Sequence, residues 1–158
     1  MIDVQYGFWD NARRVQGELA RALILALKNG DCLLVVELSS DHFGKTVLQM
    51  MEIVDEFPKD RVGFVHKSGD SGGSEIMKKC EIRGFPTEHL QVCGVNRCYC
   101  VFKTAVQLND HASVSKVEVL DSAVSCNWLC NCRYHDNREH GIYEHYRAHG
   151  VLVNGTPL

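Results

Sequence analysis

At 158 residues, 45% hydrophobic and 23% charged, the chain has the make-up of one soluble globular domain spanning 1–158, long enough to bury a substantial core. Seventeen Lys and Arg against twenty Asp and Glu leave a formal charge of −3. The basic residues are dispersed, so there is no footprint for nucleic acid or for an anionic membrane. No apolar run approaches the roughly 20 residues that span a bilayer. The first residues, MIDVQYGFWD, carry an acid where a secretory leader carries basic residues and an apolar stretch, so a cytoplasmic protein is expected.

The elements alternate. Met1 to Val4 is short and apolar and reads as the start of a strand. Asp10 or Asn11 is the expected cap of a helix whose Val15, Leu19, Ala22, Leu23 and Ala26 follow helical spacing, and Lys28-Asn29-Gly30 stops it. Cys32 to Leu38 is a near-continuous apolar run, the pattern of a strand covered on both faces. A helix over 45–57 precedes Pro58, with Val47, Met50, Met51 and Val54 on one side. Val62 to His66 reads as a strand, and the Gly/Ser-rich stretch 68–74 opens a short helix through about Ile82.

The second half repeats the logic. Leu90 to Val95 is expected as a strand, 98–108 as a helix, Val117 to Leu120 as a strand, 137–149 as a helix and Val151 to Val153 as a sixth strand. Alternation of this kind predicts a three-layer α/β/α fold with a six-stranded, mainly parallel sheet of Rossmann-type order. In such sheets the site lies beyond the carboxyl ends of the strands, which brings 3–5, 66–67 and 96–100 to one edge.

Eight cysteines is a high count for a chain expected in a reducing compartment. Cys32, Cys80 and Cys93 sit in apolar surroundings and read as core fillers. Cys100 falls in the first turn of a helix after a tight Gly94-Val95-Asn96 connection, where the helix dipole and free backbone N–H groups favour a thiolate and can cradle an oxyanion. Asp3 could take the thiol proton and Lys67 could hold the developing negative charge, although charged residues at strand ends are common in α/β folds without any catalytic role.

The ordered motifs resemble those of the isochorismatase-like cysteine hydrolases, which include nicotinamidases, N-carbamoylsarcosine amidohydrolases and ureidoacrylate amidohydrolases. Met1-Ile2-Asp3-Val4-Gln5, with Phe8, is similar to the first-strand segment I-D-x-Q-x-x-F. Val65-His66-Lys67, with Ser71-Gly72, is similar to the lysine segment. Gly94-Val95-Asn96-Arg97-Cys98-Tyr99-Cys100-Val101, then Thr104-Ala105, is similar to the nucleophile signature, whose register selects Cys100 over Cys98. Val119-Leu120-Asp121-Ser122-Ala123 resembles the strand-and-acid segment that follows.

The resemblance implies Asp3 as base and proton shuttle, Lys67 as electrostatic partner and Cys100 as nucleophile. It implies an oxyanion hole from the backbone N–H groups of Asn96 and Cys100, with a cis peptide between Val95 and Asn96. The implied reaction is cleavage of a C–N bond in a small amide, ureido or carbamoyl substrate through a thioester. A homo-oligomer is expected, since relatives commonly form dimers or tetramers.

Several residues depart from the family pattern. Arg97 stands where a small Thr or Ser is usual; it is a candidate to bind a substrate carboxylate, against the simpler reading of a solvent-facing helix-start residue. Gly73 replaces an aromatic of the pocket, leaving Phe8, Trp9 and Tyr99 as candidates to stack on a flat substrate, against ordinary core roles. The motif match begins at residue 1, without the residues that ordinarily lead up to the acid, which leaves Asp3 less rigidly held.

No metal or other cofactor is expected. Asp41-His42 invites comparison with the D-x-H of nicotinamidases, but the spacing differs by one and the downstream histidine pair is absent; Asp41 reads as a helix cap. Cys126, Cys130 and Cys132 form C-x3-C-x-C, which is not a structural zinc spacing of the C-x2-C kind, so unliganded loop thiols are set against zinc. The four histidines from His135 to His149 read as a solvated helix. The competing function is a catalytically inactive member of the same fold, acting as a binding or interaction protein.

Overall fold

The computed structural model describes residues 1–126 and 141–154. The chain order is α1 (Trp9–Asn29), β1 (Leu33–Leu38), α2 (Leu48–Asp55), β2 (Val62–Lys67), α3 (Gly73–Arg83), β3 (His89–Val95), α4 (Phe102–Asn109), β4 (Lys116–Ser125), α5 (Ile142–Ala148) and β5 (Leu152–Asn154). β1 and β2 pair in parallel, Leu33 opposite Val62 through Leu38 opposite Lys67. β3, β4 and β5 form a second parallel set in that order.

Ile2 joins the two sets by parallel bridges to Val36 of β1 and Gly94 of β3. The expected six-stranded parallel sheet is found in part: the described residues form a two-stranded and a three-stranded set, and the predicted first strand is reduced to the bridges of Ile2 between them. The reason is local. Asp3 adopts φ 53°, outside the extended region, so pairing ends one residue after Ile2.

The apolar residues divide by strand alternation into two cores. Val35, Val62 and Val95 meet Leu19 and Leu23 of α1 and Met50 and Val54 of α2. Val36, Val65 and Val92 meet Ile76 of α3, Leu108 of α4 and Tyr146 of α5. This is the predicted three-layer arrangement, with helices on both faces because each strand is apolar on both sides.

Two capping expectations are corrected. α1 starts at Trp9, ahead of Asp10 and Asn11, with Phe8 as its cap and no side-chain cap bond; Asn11 is buried and its carbonyl accepts a 2.8 Å hydrogen bond from Ser125 Oγ. α2 starts at Leu48 and is capped by Val47, well beyond Asp41. Its first turn is displaced because Thr46 is held by the buried Glu37, whose Oε1 accepts from Thr46 N (2.7 Å) and Oγ1 (2.8 Å), and because Gln5 bridges Thr46.

Gly94 is a position where only glycine fits. Its φ is +135°, and a Cβ built there would lie 2.1 Å from the Ile2 carbonyl oxygen. Gly94→Ala is expected to destabilise the fold by at least about 3 kcal/mol in urea titrations, because it combines backbone strain with expulsion of the Ile2 bridge. A stability within about 1 kcal/mol of the parent would show that the Ile2 bridge does not hold β1 and β3 together.

Candidate active site

The strands deliver three side chains to one point. Asp3 follows the Ile2 bridge, Lys67 ends β2, and Cys100 lies in a π-helical turn, Arg97–Val101, that links β3 to α4. All three are at carboxyl ends of parallel strands or immediately beyond them, and all are buried: Asp3 is 0%, Lys67 1% and Cys100 5% exposed.

Lys67 Nζ lies 2.9 Å from Asp3 Oδ2 as an ion pair. It donates hydrogen bonds to the carbonyls of Gly69 (2.9 Å) and Asp70 (3.2 Å). The 69–72 loop that carries these carbonyls folds tightly over the lysine. A Cβ at Gly72 would come 3.0 Å from Lys67 Cδ, so glycine permits the approach. α4 pins the same loop: Gly72 N donates to the buried Thr104 Oγ1 (3.0 Å), Lys103 Nζ meets Asp70 Oδ2 at 2.6 Å, and Ser71 hydrogen-bonds Gln107.

Apart from the Lys67 ammonium and the Cys100 thiol, no donor reaches the oxygens of Asp3 among the described residues. Burial first of all raises its pKa above the usual carboxylate value, against the opposing pull of Lys67 and a hydrogen bond with Cys100. The Cys100 thiol is pushed up to about 12, by burial first, then by the charge of Asp3 and the hydrogen bond to it, while Lys67 pulls the other way.

Burial and the neighbouring carboxylate thus work against the thiolate that a helix start favours. Cys100 does lie in the first turn of the helical run that begins at Arg97, as expected, but that turn is π-helical and buried beside a carboxylate, and both burial and the anion disfavour a negative sulfur. The arrangement that results is a neutral thiol beside a proton-hungry carboxylate, which is the pairing needed to move a proton only as a substrate is attacked.

The expected cis bond is also corrected. No peptide bond among the described residues is cis; the chain reverses instead through Asn96, at φ 66° and ψ 62°. The Asn96 carbonyl then accepts from Tyr99 N (3.0 Å) and Val101 N (3.2 Å), closing the turn. Asn96 Nδ2 lies 4.0 Å from Cys100 Sγ.

Arg97 is neither solvent-facing nor free to take a carboxylate. It pairs with Asp121 Oδ1 (3.0 Å) and donates to Tyr143 OH (3.1 Å) and to the carbonyls of Asp121 (3.1 Å) and Val124 (2.8 Å). Its own carbonyl accepts from Tyr146 OH at 2.8 Å. Asp121 reaches it because the β3–β4 register jumps, from Val92 opposite Val119 to Gly94 opposite Val124.

Of the aromatic candidates, Phe8 stacks on Phe43 with centroids 4.5 Å apart, Trp9 packs against the α1-side core, and Tyr99 is exposed. Thr104 and Asp121 fall in the motifs without an individual role, and nothing in the pattern points to Tyr143 or Tyr146. Thr104 was within reach, since it lies four residues after Cys100 in the nucleophile motif; the tyrosines required the fold.

Among the described residues no three His, Cys, Asp or Glu side chains converge as metal ligands. Asp41 lines a hollow of about 480 Å³ with Glu37, Ser39, Lys45 and His66. Cys126 is buried; Cys130 and Cys132 lie outside the described residues, as do His135 and His140. No helix among the described residues is long and apolar enough to cross a membrane.

Solved structures reproduce this architecture. The MAR1 ribonuclease of Caenorhabditis elegans superposes with a TM-score of 0.75 at 19% identity, over 96% of this chain and 72% of that one. The nicotinamidase of Staphylococcus aureus gives 0.75 at 14%, over 99% and 96%. The N-carbamoylsarcosine amidase of Thermoplasma acidophilum gives 0.63 at 16%, over 96% and 91%. The fold is isochorismatase-like. No protein-family model matches the sequence, and no curated protein does. The isochorismatase-like fold thus carries a ribonuclease as well as amidases, so the activity of this chain has to be argued from its own site.

Proposed function

We propose that this chain is a cysteine amidohydrolase that cleaves a C–N bond of a small amide, ureido or carbamoyl compound. The observation that carries the reading is the burial of Asp3, Lys67 and Cys100 against one another at neighbouring strand ends, with Asp3 held between the lysine and the thiol. The amidases among proteins of the same fold support it.

In the first half-reaction Cys100 Sγ attacks the carbonyl carbon while its proton passes to Asp3, whose raised pKa makes it the better base. Backbone N–H groups of Asn96 and Cys100 take the oxyanion. Asp3 returns the proton to the leaving nitrogen, and ammonia or an amine departs, leaving a thioester. Water then adds with Asp3 as base, releasing the acid and restoring the thiol. Lys67 keeps Asp3 ionised between turnovers and fixes its orientation.

The competing reading, an inactive binding protein, draws on the near-complete burial of Cys100. Turnover decides between them. In a screen of primary amides, ureido compounds and N-carbamoyl amines with ammonia detection, Cys100→Ala is expected to lose at least about 1,000-fold in kcat/KM. Intact-mass measurement during turnover is expected to show an acyl adduct on the parent protein. An RNA substrate serves as the contrasting arm. Equal turnover by parent and Cys100→Ala proteins, or no ammonia from any compound, would sink the amidohydrolase reading.

A further inference from the structure

We propose that the side-chain amide of Asn96 is a catalytic group, donating a hydrogen bond to the Cys100 sulfur as negative charge forms on it. The role in turnover rests on the amidohydrolase reading above; the contact itself does not.

The backbone supplies the first argument. Asp3 and Asn96 are the non-glycine residues with positive φ among the described residues, and they flank the same thiol. A left-handed conformation disfavours most L-residues, and such positions concentrate where function requires them. Glycine would adopt it more easily. What asparagine adds at this position is an amide, and that amide lies 4.0 Å from Sγ.

The second argument is rigidity. The carbonyl of Asn96 is locked by two N–H donors from the π-helical turn. The next residue, Arg97, is anchored on Asp121, Tyr143 and Val124, and its carbonyl is held by Tyr146. The turn is therefore braced from the β4–α5 side, away from the reacting atoms. This explains why a large cation is accommodated where relatives of this motif carry a small residue: the guanidinium is spent on structure, and it fixes the amide next to it.

The third argument is demand. Asp3 and burial oppose a negative sulfur, and Lys67, which favours one, is shared with Asp3 and with the carbonyls of Gly69 and Asp70. A neutral donor aimed at the sulfur stabilises the charged form without altering the charge of the Asp3–Lys67 pair.

The test uses Asn96→Gly, which keeps the backbone conformation and removes the amide, and Asn96→Asp, which keeps the shape and removes the donor. Alkylation of Cys100 by iodoacetamide is followed against pH by peptide mass spectrometry, with Tm as the control for folding. Loss of the donor is expected to slow Cys100 alkylation at a given alkaline pH about tenfold in Asn96→Gly and further in Asn96→Asp. On any amide that the protein hydrolyses, kcat is expected to fall about tenfold or more with KM unchanged.

Equal rates of Cys100 alkylation in parent and Asn96→Gly proteins of equal Tm overturn the proposal, and where the thiol is silent to iodoacetamide an equal kcat on a hydrolysed amide does so. The alkylation arm needs no substrate. Slowed alkylation without any amide turnover would retain the Asn96–Cys100 contact and discard the hydrolase reading. Normal turnover with unslowed alkylation would discard only the role of Asn96.

Discussion

Lys67→Met is expected to cost the fold about 3–5 kcal/mol, while Asp3→Asn combined with Lys67→Met recovers most of that loss. The side chains of Lys67 and Asp3 are both fully buried and 2.9 Å apart. Removing the cation leaves a fully buried carboxylate whose remaining partner is the Cys100 thiol. Removing both charges leaves an amide against an apolar chain of similar size. A urea double-mutant cycle is the measurement.

The pH dependence of Lys67→Met adds a signature. The Asp3 pKa already lies above its ordinary 3.8, held down chiefly by the charge of Lys67, and rises further when that charge is removed. A carboxyl whose pKa is raised on folding costs stability above its folded value and recovers it as pH falls toward 3.8. The deficit of Lys67→Met is therefore expected to be largest near neutral pH and to shrink on acidification. A deficit that is flat with pH, or a double variant no better than the single one, would mean that the pair is not an interacting charged unit. All three variants are expected to lack turnover, which separates the pair's role in stability from its role in chemistry.

The second large effect concerns the cleft between β1 and β3. Met1, Ile2 and the Asp3 amide lie between these strands: the Met1 ammonium donates to Leu34 O (2.9 Å), Val36 N to Met1 O (2.9 Å), Asp3 N to Val36 O (2.9 Å), Ile2 N to Cys93 O (2.8 Å) and Val95 N to Ile2 O (2.9 Å). Beyond them a space of about 480 Å³ opens, lined by Leu23, Leu34, Cys80, Leu90, Val92 and Leu108 among others. An engineered four-residue apolar, β-branched extension ahead of Met1 is expected to continue the parallel pairing into this space.

Each buried apolar side chain contributes about 1.5–3 kcal/mol against about 1.5 kcal/mol for ordering a residue. Four residues then give a net gain of a few kcal/mol, or a Tm rise of about 5–10 °C for a chain of this size. A Gly/Ser extension of equal length is the control. If the apolar extension raises Tm no more than the control does, the cleft does not accept a strand.

The alternation of apolar strands and amphipathic helices determined the three-layer fold by itself, because a strand such as Leu33–Leu38 must be covered on both faces whatever its neighbours are. Motif order also brought Asp3, Lys67 and Cys100 to one sheet edge, since parallel strands deliver their carboxyl ends to the same side. What the sequence could not reveal was long-range in origin. The thiol's protonation depends on how deeply three distant segments bury one another. The geometry at Asn96 depends on Arg97 finding Asp121, Tyr143 and Tyr146, the last of them 49 residues away. The reduction of the first strand to the two bridges of Ile2 is local instead, set by the backbone of Asp3 turning away at φ 53°. Local pattern fixes which faces are apolar and which segments meet; burial, charge proximity and backbone reversal at the site arise only when those segments pack together.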